Sequence, residues 1–139
     1  MIDISDYCFA GCVNLTEVYL PVELTEICTG AFEGCERLNY IVLPCGVDTI
    51  GDFAFAHCYA LETIRLPDGL ITIGEEAFDH CTALWSLGIP GSVRTIGHGA
   101  FLNCPQLRTA FFQGTIQQWN SIRKGNNLGL EEVICLISE

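Results

Sequence analysis

The residues of this chain that could do chemistry are cysteines and histidines. Nine of the 139 residues are cysteine and three are histidine. Two of the histidines directly precede a cysteine, in the pairs His57–Cys58 and His80–Cys81. Imidazole nitrogen and thiolate sulfur are the usual ligands of zinc, so a zinc site is one hypothesis. Thiol catalysis and a disulfide framework are two others.

The cysteines recur at a fixed interval, and their neighbours recur with them. Five of them lie 23 residues apart, at Cys12, Cys35, Cys58, Cys81 and Cys104. A leucine follows each cysteine after three positions, an apolar and usually β-branched residue comes next, and proline closes four of the runs. A fixed period of this length predicts a solenoid of stacked supersecondary units.

Within such a stack the cysteines are better explained as buried core residues than as reactive or metal-binding residues. We predict one small, reduced, buried thiol per turn, donating weakly to backbone carbonyls. Neighbouring turns lie about 4.8 Å apart, which is within reach of a disulfide. Stacked equivalent residues point the same way, however, which suits a bridge poorly, and the redox state stays open.

The same placement disfavours the other two chemistries. Inward cysteines and turn histidines do not converge on a metal, and a buried thiol in an acidic chain does not become a nucleophile. We therefore predict no catalytic residue, no metal site and no cofactor.

The bulk composition narrows the class of partner. Seventeen acidic and six basic residues give a formal net charge of −11, which argues against nucleic acid and against anionic membrane surfaces. No apolar run is long enough to span a membrane, so no membrane insertion is expected. Residues 1–6 have no signal-peptide character, so the sequence leaves the compartment open.

The repeat at 58–80 shows most clearly how one turn is built. The run Leu61-x-x-Ile64-x-Leu66 predicts a short strand with Ile64 and Leu66 facing inward. Pro67 cannot donate a ladder hydrogen bond, so the strand should end there.

The second half of that repeat predicts a second apolar side. Leu70 and Ile73 should face inward, and Gly74 should permit a sharp bend. The acidic pair 75–76 could open a single helical or 3₁₀ turn. Phe78 and its equivalents should stack as a spine on the convex side.

The repeat frame predicts a single domain over residues 1–139. It consists of a partial repeat (1–11), four full repeats (12–34, 35–57, 58–80, 81–103) and a divergent C-terminal repeat with a cap (104–139). In this frame Met1 takes the slot of Leu24, and Ile4 that of Ile27. The N-terminal end lacks a cap, which suggests self-association or a position inside a longer repeat protein.

The C-terminal segment departs from the consensus. A short helix is predicted within residues 113–122, with Ile116 and Trp119 in the apolar slots of Val93 and Ile96. Residues 125–127 are expected to be the least ordered. A sixth strand is predicted near residues 133–137.

These residues resemble the BspA-like, or type-5, leucine-rich repeats. The shared signature is Cys-x-x-Leu-x-x-Ile-x-Leu-Pro-x-x-Val-x-x-Ile-Gly-x-x-Ala-Phe, in four close copies from residue 12 to residue 103. The resemblance implies a right-handed leucine-rich-repeat solenoid with one short parallel strand per repeat on the concave face. Second strands, turns and single-turn helices then form the convex face. It also implies a surface or secreted bacterial protein that acts in adhesion and protein binding, with no catalytic residues.

The strand pattern then assigns the residues where binding would occur. Two outward positions per strand stack into columns along the concave face, with Trp85 at the rim. The predicted binding face comprises Glu17, Tyr19, Tyr40, Val42, Thr63, Arg65, Trp85, Ser86, Thr109 and Phe111. Aromatic residues and arginine on a rigid surface are typical of binding hot spots. We predict a non-enzymatic module for a protein or glycan ligand. The alternative is an architectural spacer in a larger repeat protein.

Overall fold

The computed structural model describes residues 2–138, with the side chains of Ile2 and Asp3 left undescribed. It is a parallel-strand solenoid of about five turns. The strands, in chain order, are β1 (Ile2–Ile4), β2 (Glu17–Val18), β3 (Leu24–Ile27), β4 (Tyr40–Ile41), β5 (Thr49–Ile50), β6 (Thr72–Ile73), β7 (Gly88–Pro90), β8 (Thr95–Ile96), β9 (Thr109–Gln113), β10 (Arg123–Lys124) and β11 (Glu132–Cys135). One helix, α1 (Ile116–Ser121), lies between β9 and β10.

The most continuous sheet runs along the second apolar side of the repeat. Its six parallel strands follow the order β1-β3-β5-β6-β8-β10. Thr49, Thr72 and Thr95 pair in register, as do the isoleucines that follow them. Threonine and isoleucine favour strands because both are β-branched. The isoleucines are fully buried, so this sheet forms one wall of the core.

The concave-face strands are shorter and interrupted. β2 pairs with β4, Thr63 forms an isolated bridge with Ser86, and β7, β9 and β11 form a three-stranded sheet. The predicted strand at Leu61–Leu66 is thus reduced to a single bridge. Ile64 and Leu66 do face inward, since both are buried. Because proline closes four of the five runs, the ladder cannot extend beyond it there and the strands stay short.

The glycines that follow the buried Ile50, Ile73 and Ile96 are explained by a close backbone contact and not by the predicted bend. Gly74 does not have a positive φ angle; instead, a Cβ at this position would lie 2.5 Å from the backbone nitrogen of Asp52 in the preceding turn. Its own N–H donates to the Ile50 carbonyl at 2.8 Å. Glycine is required because two successive turns touch backbone to backbone here.

The convex turn contains two left-handed residues per repeat. One column comprises Tyr7, Gly30, Phe53, Glu76 and Gly99, and the other Gly11, Gly34, His57, His80 and Asn103, with φ between +50° and +73°. Hydrogen bonds from residue i to residue i−3, such as Asp79 N to Glu76 O at 3.1 Å, hold the turns. The left-handed residues interrupt these bonds, so the predicted helical or 3₁₀ turn does not propagate.

The phenylalanine spine forms as predicted and is buried inside the convex turn. Phe9, Phe32, Phe55, Phe78 and Phe101 stack with centroids 5.3–5.5 Å apart and interplanar angles of 5–12°. All but Phe9, which is half-buried, are fully buried. Each ring therefore covers the ring of the neighbouring turn.

The repeat frame shifts at the C-terminal end. Arg123 pairs with Thr95, 28 residues earlier, whereas Glu132 pairs with Thr109, 23 residues earlier. The segment that contains α1, between β9 and β10, is therefore five residues longer than the equivalent segments of the other repeats. The segment between β10 and β11 is five residues shorter. Phe101 lies five residues after Ile96, and the equivalent position five residues after Lys124 is occupied by Gly129. The phenylalanine of the repeat is therefore missing from this turn.

Two predictions for this end need correction, while the helix and the sixth strand are confirmed. Trp119 does not take the slot of Ile96, which Lys124 occupies, and Ile116 is half exposed. The two residues lie instead in α1, because the five-residue insertion moves the frame past them. Residues 125–127 are not loosely held, since Gly125 N donates to Ile96 O at 2.8 Å and Gly99 N to Asn126 O at 3.1 Å.

The N-terminal end keeps the repeat frame with one irregularity. Ile4 pairs with Ile27 as predicted, but a bulge places Ile2 opposite Leu24. Met1, which was predicted in that slot, lies outside the described residues. The division into six repeat segments stays a prediction.

Candidate functional site

The concave face carries its exposed apolar side chains in two groups. At the N-terminal end, Tyr19 is 83% exposed, Val42 58% and Tyr40 55%. Toward the C-terminal end, Trp85 is 59% exposed and Phe111 39%. Large apolar side chains this accessible leave apolar surface in contact with water, which a binding partner would cover.

Strand pairing brings the predicted columns together in the predicted order. Glu17 pairs with Tyr40, and Thr63 with Ser86. In the second column Gly88 pairs with Phe111. The columns are not joined throughout, because no backbone hydrogen bond connects residues 40–43 with residues 63–66 among the residues described.

A cleft lies where the pairing between residues 40–43 and residues 63–66 is interrupted. It has a volume of about 560 Å³ and is lined by both strand runs and by the turn that follows, including Tyr40, Val42, Thr63 and Arg65. An adjoining cleft of about 240 Å³ is lined by residues of the first two turns, among them Tyr19, Tyr40 and Val42. Because Tyr40 and Val42 line both, the two clefts lie side by side, and together they are called the groove here.

The electrostatics of the groove centre on one arginine. Among the described residues, Arg65 has no ion pair or hydrogen bond, and its side chain is exposed. The chain as a whole carries a formal charge of −11. An exposed, unengaged guanidinium in an apolar groove is a donor available for a carboxylate or for an aromatic face.

Sequence reasoning missed several residues of this face. Glu132 pairs with Thr109, whose hydroxyl lies 3.2 Å from the Glu132 carboxylate, and Ile134 pairs with Phe111. Both are exposed, and Val22 is 77% exposed at the other end. The 23-residue interval from Thr109 and Phe111 already pointed to Glu132 and Ile134.

Four of the five repeating cysteines are buried and engage the turn backbone. The prediction of a buried thiol is wrong for Cys12, which is exposed at the N-terminal end of the stack, where the core covers it on one side only. Each buried thiol donates to the carbonyl of the phenylalanine 26 residues earlier, at 3.0–3.2 Å. The donors are Cys35, Cys58, Cys81 and Cys104. Each bond therefore links a turn of the solenoid to the one before it.

Burial suppresses the reactivity of these thiols. It raises the pKa of Cys35 and of Cys104 to about 11, and it raises those of Cys58 and Cys81 further. Since the thiolate is the nucleophile and the metal ligand, a raised pKa opposes both functions. The adjacent His57 and His80 lie at the surface side of the turn, half-buried.

The chain was compared with known families and structures. The model of the BspA type leucine rich repeat region matches residues 2–123 in six copies. A search of curated proteins finds no match.

Several solved structures are similar to the chain. The leucine rich repeat protein of T. pallidum is 32% identical, with a TM-score of 0.78 over 96% of this chain and 66% of that protein. A leucine rich cell surface protein from Faecalibacterium prausnitzii is 26% identical (TM-score 0.70; 89% of this chain, 33% of that one). The pneumococcal vaccine antigen PcpA is 25% identical (TM-score 0.72; 93% and 32%). The chain thus spans about two thirds of the first protein and about one third of the other two.

None of the helices among residues 2–138 could cross a membrane; α1 has only six residues.

Proposed function

Since this chain belongs to the BspA-type leucine-rich repeat family, we propose that it is a non-enzymatic interaction module of a bacterial surface or secreted protein. Its fold is typically a scaffold for protein interaction. The solved relatives include one described as a cell surface protein and one described as a vaccine antigen. A surface location and a role in adhesion follow from that likeness and are part of the proposal.

The observation that supports a binding role most strongly is the groove in the concave face. Tyr19, Tyr40 and Val42 are each more than half exposed on a rigid backbone, beside the unengaged Arg65. Tyrosine buries much area at little entropic cost, and arginine contributes a planar, forked set of donors, so both residue types are enriched in hot spots. We propose that a protein segment, or a glycan stacked on the tyrosines, binds along this groove.

Substitution of three groove residues, together with Phe111 toward the C-terminal end of the same face, tests the proposal; this combination is called the groove variant. Tyr19, Tyr40, Arg65 and Phe111 are changed together to alanine, and binding is measured by surface plasmon resonance against purified extracellular-matrix proteins and an immobilised glycan array. Each hot spot contributes about 2 kcal/mol, so the combined variant should lose binding by more than 100-fold while its circular dichroism stays unchanged.

A matched control removes exposed residues from other surfaces. Val13, Ile71, Ile116 and Arg123 are all exposed and lie outside the predicted face. Their combined change to alanine should leave binding intact. Retained binding by the groove variant, or equal loss in the control, would overturn the assignment to this face.

A second candidate role is architectural, as a segment on which a further turn or a second copy stacks. It is favoured by the N-terminal end of the stack, where Phe9, Leu15, Val18 and Leu20 are only partly buried against the core. Their equivalents in the next turn are buried. Sedimentation at rising concentration should show association that Val18→Lys abolishes and Leu136→Lys, at the opposite end, does not. A constant monomer mass would end the self-association hypothesis.

A further inference from the structure

The structure brings together three metal-ligating side chains that are not one motif in the sequence. His57, Asp79 and His80 each offer a ligand atom, and these atoms lie within 4.8 Å of one another. We propose that they bind a divalent transition-metal ion of the Zn²⁺, Ni²⁺ or Cu²⁺ class. This site is independent of the proposed groove.

The solenoid frame places the two histidines side by side. His57 and His80 occupy the same slot of successive turns, and their rings stack with centroids 4.7 Å apart at 18°. Both residues are left-handed, with φ of +61° and +57°. This conformation directs the imidazoles toward the surface while the cysteines that follow enter the core.

The carboxylate between them is positioned from both sides. Asp79 is only 7% exposed, and one of its oxygens accepts a hydrogen bond from the Asn103 amide at 2.9 Å. The same oxygen lies 2.9 Å from His80 Nδ1. A second group that orients a ligating carboxylate is a regular feature of metal sites.

The unsatisfied Nδ1 atom of His80 is a second observation that points to a ligand at this cluster. The atom is buried, and although Asp79 is close, the angle does not form a hydrogen bond; among the described residues it has no other partner. A buried, unsatisfied polar atom is costly and calls for an explanation. A metal ion between His80 and Asp79 would satisfy it.

The distances fit a metal after a small side-chain movement. Ligand bonds of about 2.0–2.2 Å place neighbouring donor atoms roughly 3–3.6 Å apart. Asp79 and His80 already meet that separation, whereas His57 must approach and also turn out of the ring stack, because stacked imidazoles hold their in-plane lone pairs nearly parallel. The hydroxyl of Tyr59, which lies 3.1 Å from His57 Nδ1, restrains the other side of the ring.

The donor set decides which ions qualify. Two imidazoles and one carboxylate suit Zn²⁺, Ni²⁺ and Cu²⁺, whereas Ca²⁺ and Mg²⁺ require mainly oxygen ligands. The neighbouring Cys58 and Cys81 are buried on the other side of the backbone, where both thiols donate to backbone carbonyls of the preceding turn. Three ligands leave a coordination position for water.

Glycine substitutions test the site without straining the turn. His57→Gly and His80→Gly copy the residues that Gly11 and Gly34 place in the same slot with φ of +72° and +73°. His98→Ala removes the third histidine, which is exposed and not part of the cluster, and serves as the control.

The reduced, chelator-treated protein is titrated with CoCl₂ and with ZnCl₂, monitored by Co²⁺ absorption and by calorimetry. We expect one ion per chain, a Co²⁺ spectrum without a thiolate charge-transfer band, at least a 10-fold loss of affinity in either glycine variant, and no change in His98→Ala. Unchanged affinity in both glycine variants, or a thiolate band on the first equivalent, would overturn the proposal.

Discussion

At the scale of single residues, one atom pair recurs in almost every turn: a cysteine thiol and a phenylalanine carbonyl of the preceding turn. The bonds from Cys58 and Cys81 measure 3.2 and 3.1 Å. A small thiol fits where a larger side chain would not, and it gives the carbonyl a second donor besides the backbone N–H that it already accepts, as Phe55 O does from Cys58 N at 3.3 Å.

This burial predicts a loss of stability at alkaline pH. The folded pKa values of four cysteines lie above the ordinary value of 9.0. The unfolded chain therefore releases protons first, so the stabilisation is complete below about pH 9 and declines as the pH rises toward and beyond 11.

Urea denaturation between pH 8 and pH 11 measures this decline, which is at most about 1.4 kcal/mol per pH unit for each thiol. Cys81→Ala should reduce the slope, whereas Cys45→Ala, at an exposed site, should not. Equal slopes in all three proteins would contradict the buried assignment.

At a left-handed position of the convex turn, substitution by glycine should increase the stability of the fold. Glu76 has φ of +50°, in the slot that Gly30 and Gly99 fill elsewhere. Relief of this conformation should exceed the entropic cost of glycine, so Glu76→Gly should raise the free energy of unfolding by about 0.5–1 kcal/mol.

The neighbouring Glu75, which has no positive φ, gives the control. Glu75→Gly should lower the free energy of unfolding by about 0.5–1 kcal/mol in the same urea titration. Destabilisation by both changes would show that the left-handed turn is not strained.

At the scale of elements, strands of two residues cannot stand alone, and the side-chain ladders hold them in place. The fully buried, stacked phenylalanines join the convex turns, while the paired Thr-Ile strands join the opposite wall. Dispersion and buried area thus act together with the backbone hydrogen bonds between successive convex turns, such as Phe55 N to Ala77 O at 2.8 Å.

The spine should be most sensitive at its centre. Phe78→Ala removes a ring stacked on both sides and should cost about 3–5 kcal/mol of unfolding free energy. Phe9→Ala, at the half-buried end, should cost clearly less. Equal midpoints for the two variants in thermal denaturation would contradict a spine whose energy depends on stacking from both sides.

The C-terminal helix should depend on its cap. In α1 the Thr115 hydroxyl accepts from Gln118 N at 3.2 Å, and the Gln118 side chain accepts from Thr115 N at 2.8 Å. Thr115→Ala should cost about 1 kcal/mol, measured by urea denaturation. Asn120→Ala, at an exposed helical position, should have little effect or a slightly stabilising one.

At the scale of the whole molecule, the main contacts of the described strands are with strands of adjacent turns, so each turn is stabilised mainly by its two neighbours along one axis. The ends then differ from the middle. The C-terminal end is covered where Trp119 packs on Phe112 at 5.3 Å and where the Lys124 ammonium donates to the Trp119 carbonyl at 2.6 Å.

A charge in the middle of the axis should therefore disrupt the whole stack. Ile73 is fully buried between the equivalent isoleucines of its neighbours, so Ile73→Asp would bury an unpaired carboxylate. We expect loss of the cooperative thermal transition. Ile134→Asp, on the exposed concave column, should retain it, and a cooperative Ile73→Asp variant would contradict the inward placement.

The sequence by itself determined which residues repeat and which face inward, because a 23-residue period gives every equivalent side chain the same surroundings. The inward Ile73 and Cys81, the stacked Phe78 and the sixth strand all follow from that period alone. The outward columns follow from it as well, although their use as a binding face stays a prediction.

Only the tertiary structure decided what depends on contacts between turns. The interruption beside Tyr40 and the insertion that moves Trp119 out of its slot have no local sequence signal. The period sets His57 one turn from His80, but it does not show how closely Asp79 approaches the two rings. Each depends on how closely one backbone approaches the next, and that distance is set by the packing of all the turns together.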